Sequence, residues 1–169
     1  MFGILHSSVF ENVDIVIESI NNCDALKIEF PSDHDEQRKI ADGFLCKSPD
    51  AQFANCVGCI DGILIWMQKP KKDDCEDVGV CEKKFFCGRK HKFGLNMQAT
   101  CNSQKQFLDV SINYGAALSD HMAFEVSDLR RKLLSQPGFL AEGLCLFGDN
   151  AYVNLSFVAT PYPNTGSDM

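Results

Sequence analysis

The chain of 169 residues and 18.8 kDa suits one domain, or part of a larger one, and leaves little room for two. With 45% apolar and 23% charged residues it sits near globular averages, which excludes disordered, collagen-like and coiled-coil classes; no apolar run approaches ~18 residues, which excludes a membrane-spanning helix. Sixteen basic against 23 acidic residues give a net charge of −7, so any nucleic-acid role needs a local basic patch, metal ions or a partner that supplies the phosphate contacts.

In chain order, Met1 to Val9 lacks a basic start and meets Glu11 and Asp14 too early for a signal peptide. Val9, Val13, Val16 and Ile20 recur at helical spacing, and Asn21-Asn22 ends that run. Leu26 to Phe30 alternates weakly and reads as extended. Ser32 with Asp35 three positions later is a capping-box pattern, which predicts a second helix from Asp33 to about Cys46. After Pro49 come two short apolar runs, Cys56 to Ile60 and Ile63 to Met67, with Asp61-Gly62 between them; locally this reads as a hairpin turn. Residues 69–84 are polar and read as a loop. Phe93 to Cys101 and Phe107 to Tyr114 read as two strands joined by a polar turn. Asp120 to Leu134 reads as one helix with Met122, Val126, Leu129 and Leu133 on a face, and Leu144 to Phe147 as a short buried strand before Gly148-Asp149. No repeat or Pro- or Ser-rich linker divides the chain. The order points to an α/β fold, with residues 1–50 as a helical lead-in and 51–169 as the main domain.

Nine cysteines, an odd count in a chain with no export signal, favour free thiols in a reducing compartment. Cys56-x-x-Cys59 and the trio Cys75, Cys81 and Cys87 invite a zinc reading, but they form no pair of CxxC motifs and no His stands at finger spacing. No structural zinc is expected, and the cysteines read as small buried or loop residues.

Two carboxylates share one setting. Asp61 follows the run Val57 to Ile60, and Asp149 follows Leu144 to Phe147, so each stands at or beside the end of a buried strand. Ligands bind at strand ends in open sheets. Neighbouring acids are costly unless a cation sits between them, and hard divalent ions such as Mg²⁺ or Mn²⁺ suit oxygen donors. Asp is also a common turn residue, so spacing alone leaves both readings open.

At this point the chain resembles a known family. Val57-Gly-Cys-Ile-Asp-Gly62 is similar to the first-aspartate motif of the Harbinger (PIF-type) transposase catalytic domain and its domesticated nuclease relatives. Arg89-Lys90 and Asn96-Met-Gln98, then Phe107 to Val110, then Asp120, Phe124, Ser127 to Leu129 and Arg131 to Leu133, follow in the family's order. Gly148-Asp-Asn-Ala-Tyr152 resembles the second-aspartate motif, with Thr160-Pro-Tyr162 after it. The resemblance covers about residues 26–163.

It implies a ribonuclease-H-like fold, a mixed sheet with flanking helices, and a DDE triad that holds two metal ions, Mg²⁺ or Mn²⁺. One ion would activate the attacking water or 3′-hydroxyl and the other would stabilise the leaving oxygen as DNA is cut by in-line displacement. Asp61 and Asp149 match the first two triad members, as catalytic and metal-binding residues. The third, an acid on a helix well downstream of Thr-Pro-Tyr, has no match. Asp168 is the only acid after Asp149 and nothing around it reads as helix, so the chain reads as C-terminally incomplete and weak or inactive alone. Ile63-Leu64 stand where the family has Thr-His, and Ala116 to Ser119 weaken the polar block before Asp120. The resemblance also implies a nuclear location, with the cytoplasm as an addition, DNA as the substrate and a separate Myb-like DNA-binding protein as a partner. The alternative is a catalytically inactive transposon-derived remnant or protein-interaction module of the same fold.

Lesser signals have two readings each. Lys83, Lys84, Arg89, Lys90 and Lys92 form the one basic cluster; Arg89, Lys90 and Lys92 are candidates for DNA-phosphate contacts, against a solvated loop and strand edge. Asp120 is a helix cap or a residue that orients the metal ligands. Trp66 reads as sheet packing before base stacking, and His91 and His121 read as surface residues.

Overall fold

The computed structural model describes residues 6–48, 50–77 and 79–162. Its centre is one long strand, β1 (Cys56–Trp66). The two apolar runs on either side of Asp61-Gly62 are halves of this strand and not the arms of a hairpin. Every residue from Cys59 to Trp66 is paired with the antiparallel strand β3 (Lys92–Cys101), so no turn can form at Asp61-Gly62; the long ladder overrides the local Asp-Gly preference.

Strand β1 also pairs in parallel with β5 (Cys145–Phe147), which pairs in parallel with β6 (Val158–Ala159). On the other side β3 pairs antiparallel with β4 (Phe107–Gly115) and, at its start, with the two-residue β2 (Phe86–Cys87). The sheet therefore has six strands in the order β2-β3-β1-β5-β6, with β4 also on β3. It is a mixed sheet with flanking helices, as the ribonuclease-H-like expectation requires.

A bulge lies in β1 between Cys56 and Gly58, where the register with β5 shifts. Without it, Val57 and Ile60 would point to opposite faces, being an odd number of residues apart. With it, both enter the core beside Leu108, Leu146 and Val158 from the other strands and Phe30, Phe124, Leu129 and Tyr152 from outside the sheet. Beyond Ile60 the strand alternates, and Ile63 and Ile65 on its Asp61 face are 56% and 41% exposed.

Three of the helices, those headed by Asp33, Ser119 and Ser127, begin where a short polar side chain accepts a backbone N–H. Helix α1 (His6–Asn21) lies where the valine spacing predicts it, but Val9, Val13, Val16 and Ile20 are all half-exposed. Residues 27–30 do not pair as a strand; a 3-10 turn over Asp24–Leu26 precedes them. Helix α2 (His34–Leu45) is capped by Asp33, whose Oδ1 accepts the Glu36 N–H at 2.8 Å, and not by Ser32. Its buried Gln37 donates to the Pro31 and Phe139 carbonyls and accepts the Ala141 N–H. The polar stretch 69–84 holds a short helix α3 (Lys72–Asp77) and a 3-10 turn from Glu82 to Phe85.

The stretch from Asp120 is two helices, α4 (Asp120–Glu125) and α5 (Asp128–Ser135). Ser127, 2% exposed, breaks the run by capping α5 through the Arg130 N–H. The 3.6-residue apolar period continues across the break, which is why periodicity alone reads a single helix.

Candidate metal centre

Register positions the two sequence-predicted acids. Cys59 in β1 stands level with Phe147 in the parallel neighbour β5. Asp61 lies two residues beyond Cys59 within β1, and Asp149 two residues beyond Phe147, just past the end of β5, so both acids follow the same level pair in the same chain direction. Gly148, just before Asp149, lets the chain pass close to Tyr152 and β1: a β-carbon there would stand 2.8 Å from the Tyr152 ring and 3.2 Å from Ile60 Cγ2.

Both acids are exposed. Asp61 Oδ1 accepts the Gly62 N–H at 2.7 Å, and Asp149 Oδ1 accepts the Ala151 N–H at 2.8 Å. One oxygen of each carboxylate is thereby held by backbone, and among the described residues the other has no protein partner. Carboxylates with free oxygens suit a hard divalent cation. Among the described residues, however, no three His, Cys, Asp or Glu side chains gather closely enough to hold a metal ion. The donor set thus fits attachment of a divalent ion by two acids and leaves its remaining coordination to water or substrate. Asp168 lies outside the described residues.

Asp120 is not the cap of α4. Ser119 Oγ takes that role, accepting the Met122 N–H, and Asp120 turns toward the sheet. Its Oδ1 accepts Asn96 Nδ2 at 3.1 Å and Gln98 Nε2 at 3.4 Å. Gln98 Nε2 also donates to Asn96 Oδ1 at 2.8 Å, and Gln98 Oε1 accepts the Tyr152 hydroxyl at 2.7 Å. Asn96 and Gln98 are 1% and 3% exposed, so this chain of hydrogen bonds runs through the interior, from α4 under β1 to the segment after Asp149. Gly62 lets Asp120 approach, because a β-carbon on it would collide with the Asp120 carboxylate.

Burial raises the Tyr152 hydroxyl pKa above its ordinary value; the negative charges of Asp120, Asp61 and Asp149 raise it further, against the opposing effect of its bond to Gln98. The phenol therefore stays protonated as a donor. That all three aspartates act on it shows that they share one electrostatic neighbourhood. Sequence reading did not single out Asn96, Gln98 or Tyr152 as site residues, although a signal existed. Asn96, Gln98 and Thr100 are polar at alternate positions of a strand, and all three face inward; polar residues on a buried strand face must bond to something.

The basic residues lie elsewhere. Arg89 and Lys90 occupy the exposed turn between β2 and β3, and Lys92 opens β3 with Nζ 5.3 Å from the Trp66 ring. Gly94 is level with Trp66, five residues beyond Asp61, which is about 17 Å along the ladder. Trp66 is 44% exposed. His91, exposed, adopts a positive φ of 52° in the turn. His121 is half-buried instead of exposed, and its Nδ1 is buried with no partner among the described residues.

A family model described as DDE superfamily endonuclease matches residues 60–169, a span that includes Asp61, Asp120 and Asp149. The chain belongs to this family. No curated protein and no solved structure matches it. A DDE superfamily endonuclease is a transposase-type nuclease, a class that acts on DNA and generally uses divalent metal ions. Its sheet, with one acid in the central strand and another just past the parallel neighbour, is the corresponding scaffold.

Proposed function

We propose that this DDE superfamily endonuclease is of the Harbinger type and cuts DNA phosphodiesters by two-metal in-line displacement, with Asp61 and Asp149 as metal ligands and Mg²⁺ or Mn²⁺ as the ions. The observation that carries the proposal is that Asp61 and Asp149 each follow by two residues the level pair Cys59 and Phe147 of the parallel strands β1 and β5, each with one oxygen fixed by backbone and one free. The bound ions supply the activation of the attacking oxygen and the neutralisation of charge on the leaving oxygen. The chain's own residues hold and orient. Asp61 offers its free oxygen from the middle of β1 and Asp149 from just past the end of β5, and Asp120 with Asn96, Gln98 and Tyr152 ties α4 and β3 to the segment after Asp149. Tyr152, kept protonated, acts as a donor and not as a base.

Within this reading residues 1–50 are a helical lead-in and 51–169 the nuclease domain. Arg89, Lys90 and Lys92 contact phosphates beyond the cut site, and a Myb-like protein supplies further DNA contacts that a chain of net charge −7 lacks. The protein then works in the nucleus, with the cytoplasm as its place of synthesis. The second reading, an inactive remnant or interaction module of the same fold, is favoured by one observation: no three candidate ligands gather around a cation among the described residues.

Manganese binding followed by electron paramagnetic resonance, together with plasmid nicking, tests the proposal. The chain should bind Mn²⁺ weakly, and Asp61→Asn and Asp149→Asn should each reduce that binding at least tenfold. Nicking by the chain alone should be faint, roughly 10³-fold or more below a site with three acids, and absent in Asp61→Ala. Equal Mn²⁺ binding by the variants sinks the ligand assignment. Robust nicking lost in Asp61→Ala would mean a third ligand, with Asp120 the first candidate.

A further inference from the structure

Four of the nine cysteines, scattered at 56, 59, 101 and 145, come together on three adjacent strands. Cys56 stands directly opposite Cys145 in the parallel β1–β5 pair, and Cys59 directly opposite Cys101 in the antiparallel β1–β3 pair. The bulge after Cys56 joins the two pairs, because it returns Cys56 and Cys59 to one side of β1, with their Sγ atoms 3.9 Å apart. Cys56 is fully buried, whereas Cys59, Cys101 and Cys145 are half-buried and reachable from solvent. Among the described residues no three such ligands are close enough to hold a metal ion, so the chemistry of this cluster is that of thiols and not of chelation.

The pairs differ in fitness for a bond. Directly opposed residues of an antiparallel ladder have α-carbons about 4.5–5.5 Å apart, inside the range of about 4.4–6.8 Å that a disulfide spans without moving backbone. Cys56 and Cys59 are three residues apart along one strand, so linking them would bend the backbone although their sulfurs touch. Cys56 with Cys145 has one fully buried member, so only Cys145 could open the exchange there, whereas in the Cys59–Cys101 pair either thiol can. Cys59 with Cys101 meets both conditions.

We propose that Cys59 and Cys101 form a redox-sensitive pair that closes to a cross-strand disulfide when the protein meets a low-molecular-weight disulfide such as oxidised glutathione. Cys59 Sγ attacks one sulfur of the oxidant and releases its other half as a thiol. Cys101 Sγ then attacks the Cys59 sulfur of the mixed disulfide and releases the second half. Two protein S–H bonds and the oxidant's S–S bond break; one protein S–S bond and two S–H bonds on the released thiols form. The protein loses two electrons and the oxidant gains them. The new bond ties β1 to β3 two residues before Asp61 and two after Ala99, its partner across the ladder, and it does not depend on the metal assignment.

The test is disulfide mapping of the full chain after equilibration with excess oxidised glutathione, alkylation and trypsin digestion. Cys56 and Cys59 lie in the tryptic peptide 48–71, and Cys101 lies in 93–105. The expected product is these two peptides linked, present in the parent and in Cys56→Ser and lost in Cys59→Ser and Cys101→Ser. Circular dichroism of the reduced variants confirms that they fold, and the two single changes on opposite strands guard against failure of either. The exposed Cys23, Cys46 and Cys81 should carry only mixed glutathione disulfides. The proposal is overturned if the linked pair is missing from the parent, if it survives in Cys59→Ser, or if Cys101 carries glutathione alone.

Discussion

Tyr152 and Gln98 show how single buried side chains hold the candidate site together. The Tyr152 hydroxyl has one partner, Gln98 Oε1, and Gln98 spends its amide on Asn96 and Asp120. Tyr152→Phe leaves one buried acceptor unmatched and should cost about 1 kcal/mol, whereas Gln98→Leu strands both the tyrosine hydroxyl and part of the Asp120 shell and should cost about 1–3 kcal/mol; urea unfolding measures both. The pH dependence has a definite sign. Because the folded pKa of Tyr152 is raised, the unfolded chain loses this proton first, so the stabilisation is complete below about pH 10 and falls as pH rises above it. Tyr152→Phe should flatten that alkaline decline, seen as a smaller loss of melting temperature above pH 10 than in the parent. Gly62 offers a third test at this scale. Gly62→Ala inserts a methyl against a carboxylate held by Asn96 and Gln98, and should lower stability by about 1–3 kcal/mol in the same assay.

Among the elements, the junction of α4 and α5 depends on one hydroxyl and one ion pair. Ser127 caps α5 from a buried position, and Arg130 in its first turn meets Glu125 at the end of α4 at 2.7 Å, with both side chains largely covered. Ser127→Ala should therefore cost about 1 kcal/mol or more, while Ser119→Ala, at an exposed cap with a 3.4 Å bond, should cost less. Thermal melting of the two variants side by side decides this; equal losses would mean that burial of the cap is irrelevant. The bulge in β1 is the second decisive element. One extra residue there puts Val57 and Ile60 together on one side of β1 and Cys56 and Cys59 together on the other, and so determines which side of the sheet Asp61 occupies.

For the whole molecule, the balance of −7 opposes DNA binding everywhere except at the turn that carries Arg89, Lys90 and Lys92. If those three residues carry the phosphate contacts, replacing all three by Ala should lower the slope of log binding constant against log salt by up to about 2.7, roughly 0.9 for each phosphate no longer neutralised. Fluorescence anisotropy on a duplex at several salt concentrations measures it, and an unchanged slope would assign the cluster to a solvated strand end. The turn lies beyond Gly94, which is itself about 17 Å along the ladder from Asp61, so the change should weaken binding without altering Mn²⁺ affinity.

Much of this molecule was legible in the residues themselves. The apolar runs at 56–60 and 144–147, the two strands β3 and β4, the helical spacing in α1 and the capping pattern before α2 are local patterns, and local patterns survive into the fold because short-range backbone preferences act before any distant contact. The motifs around Asp61 and Asp149 pointed to a DDE endonuclease through their resemblance to that family and their order along the chain, since an acid at the end of an apolar run is by itself also a turn residue. What required tertiary structure was everything set by register. The long β1–β3 ladder turned Asp61-Gly62 from a turn into mid-strand, and the buried Ser127 split a helix whose apolar period runs on unbroken. Pairing of β1 with β5 brought Cys59 level with Phe147, each two residues before one of the acids. Pairing of β1 with both neighbours gathered Cys56, Cys59, Cys101 and Cys145. A strand's own sequence states which face is apolar, but not which residue of which other strand will stand beside it. That choice is made by hydrogen bonding and packing summed over the whole sheet.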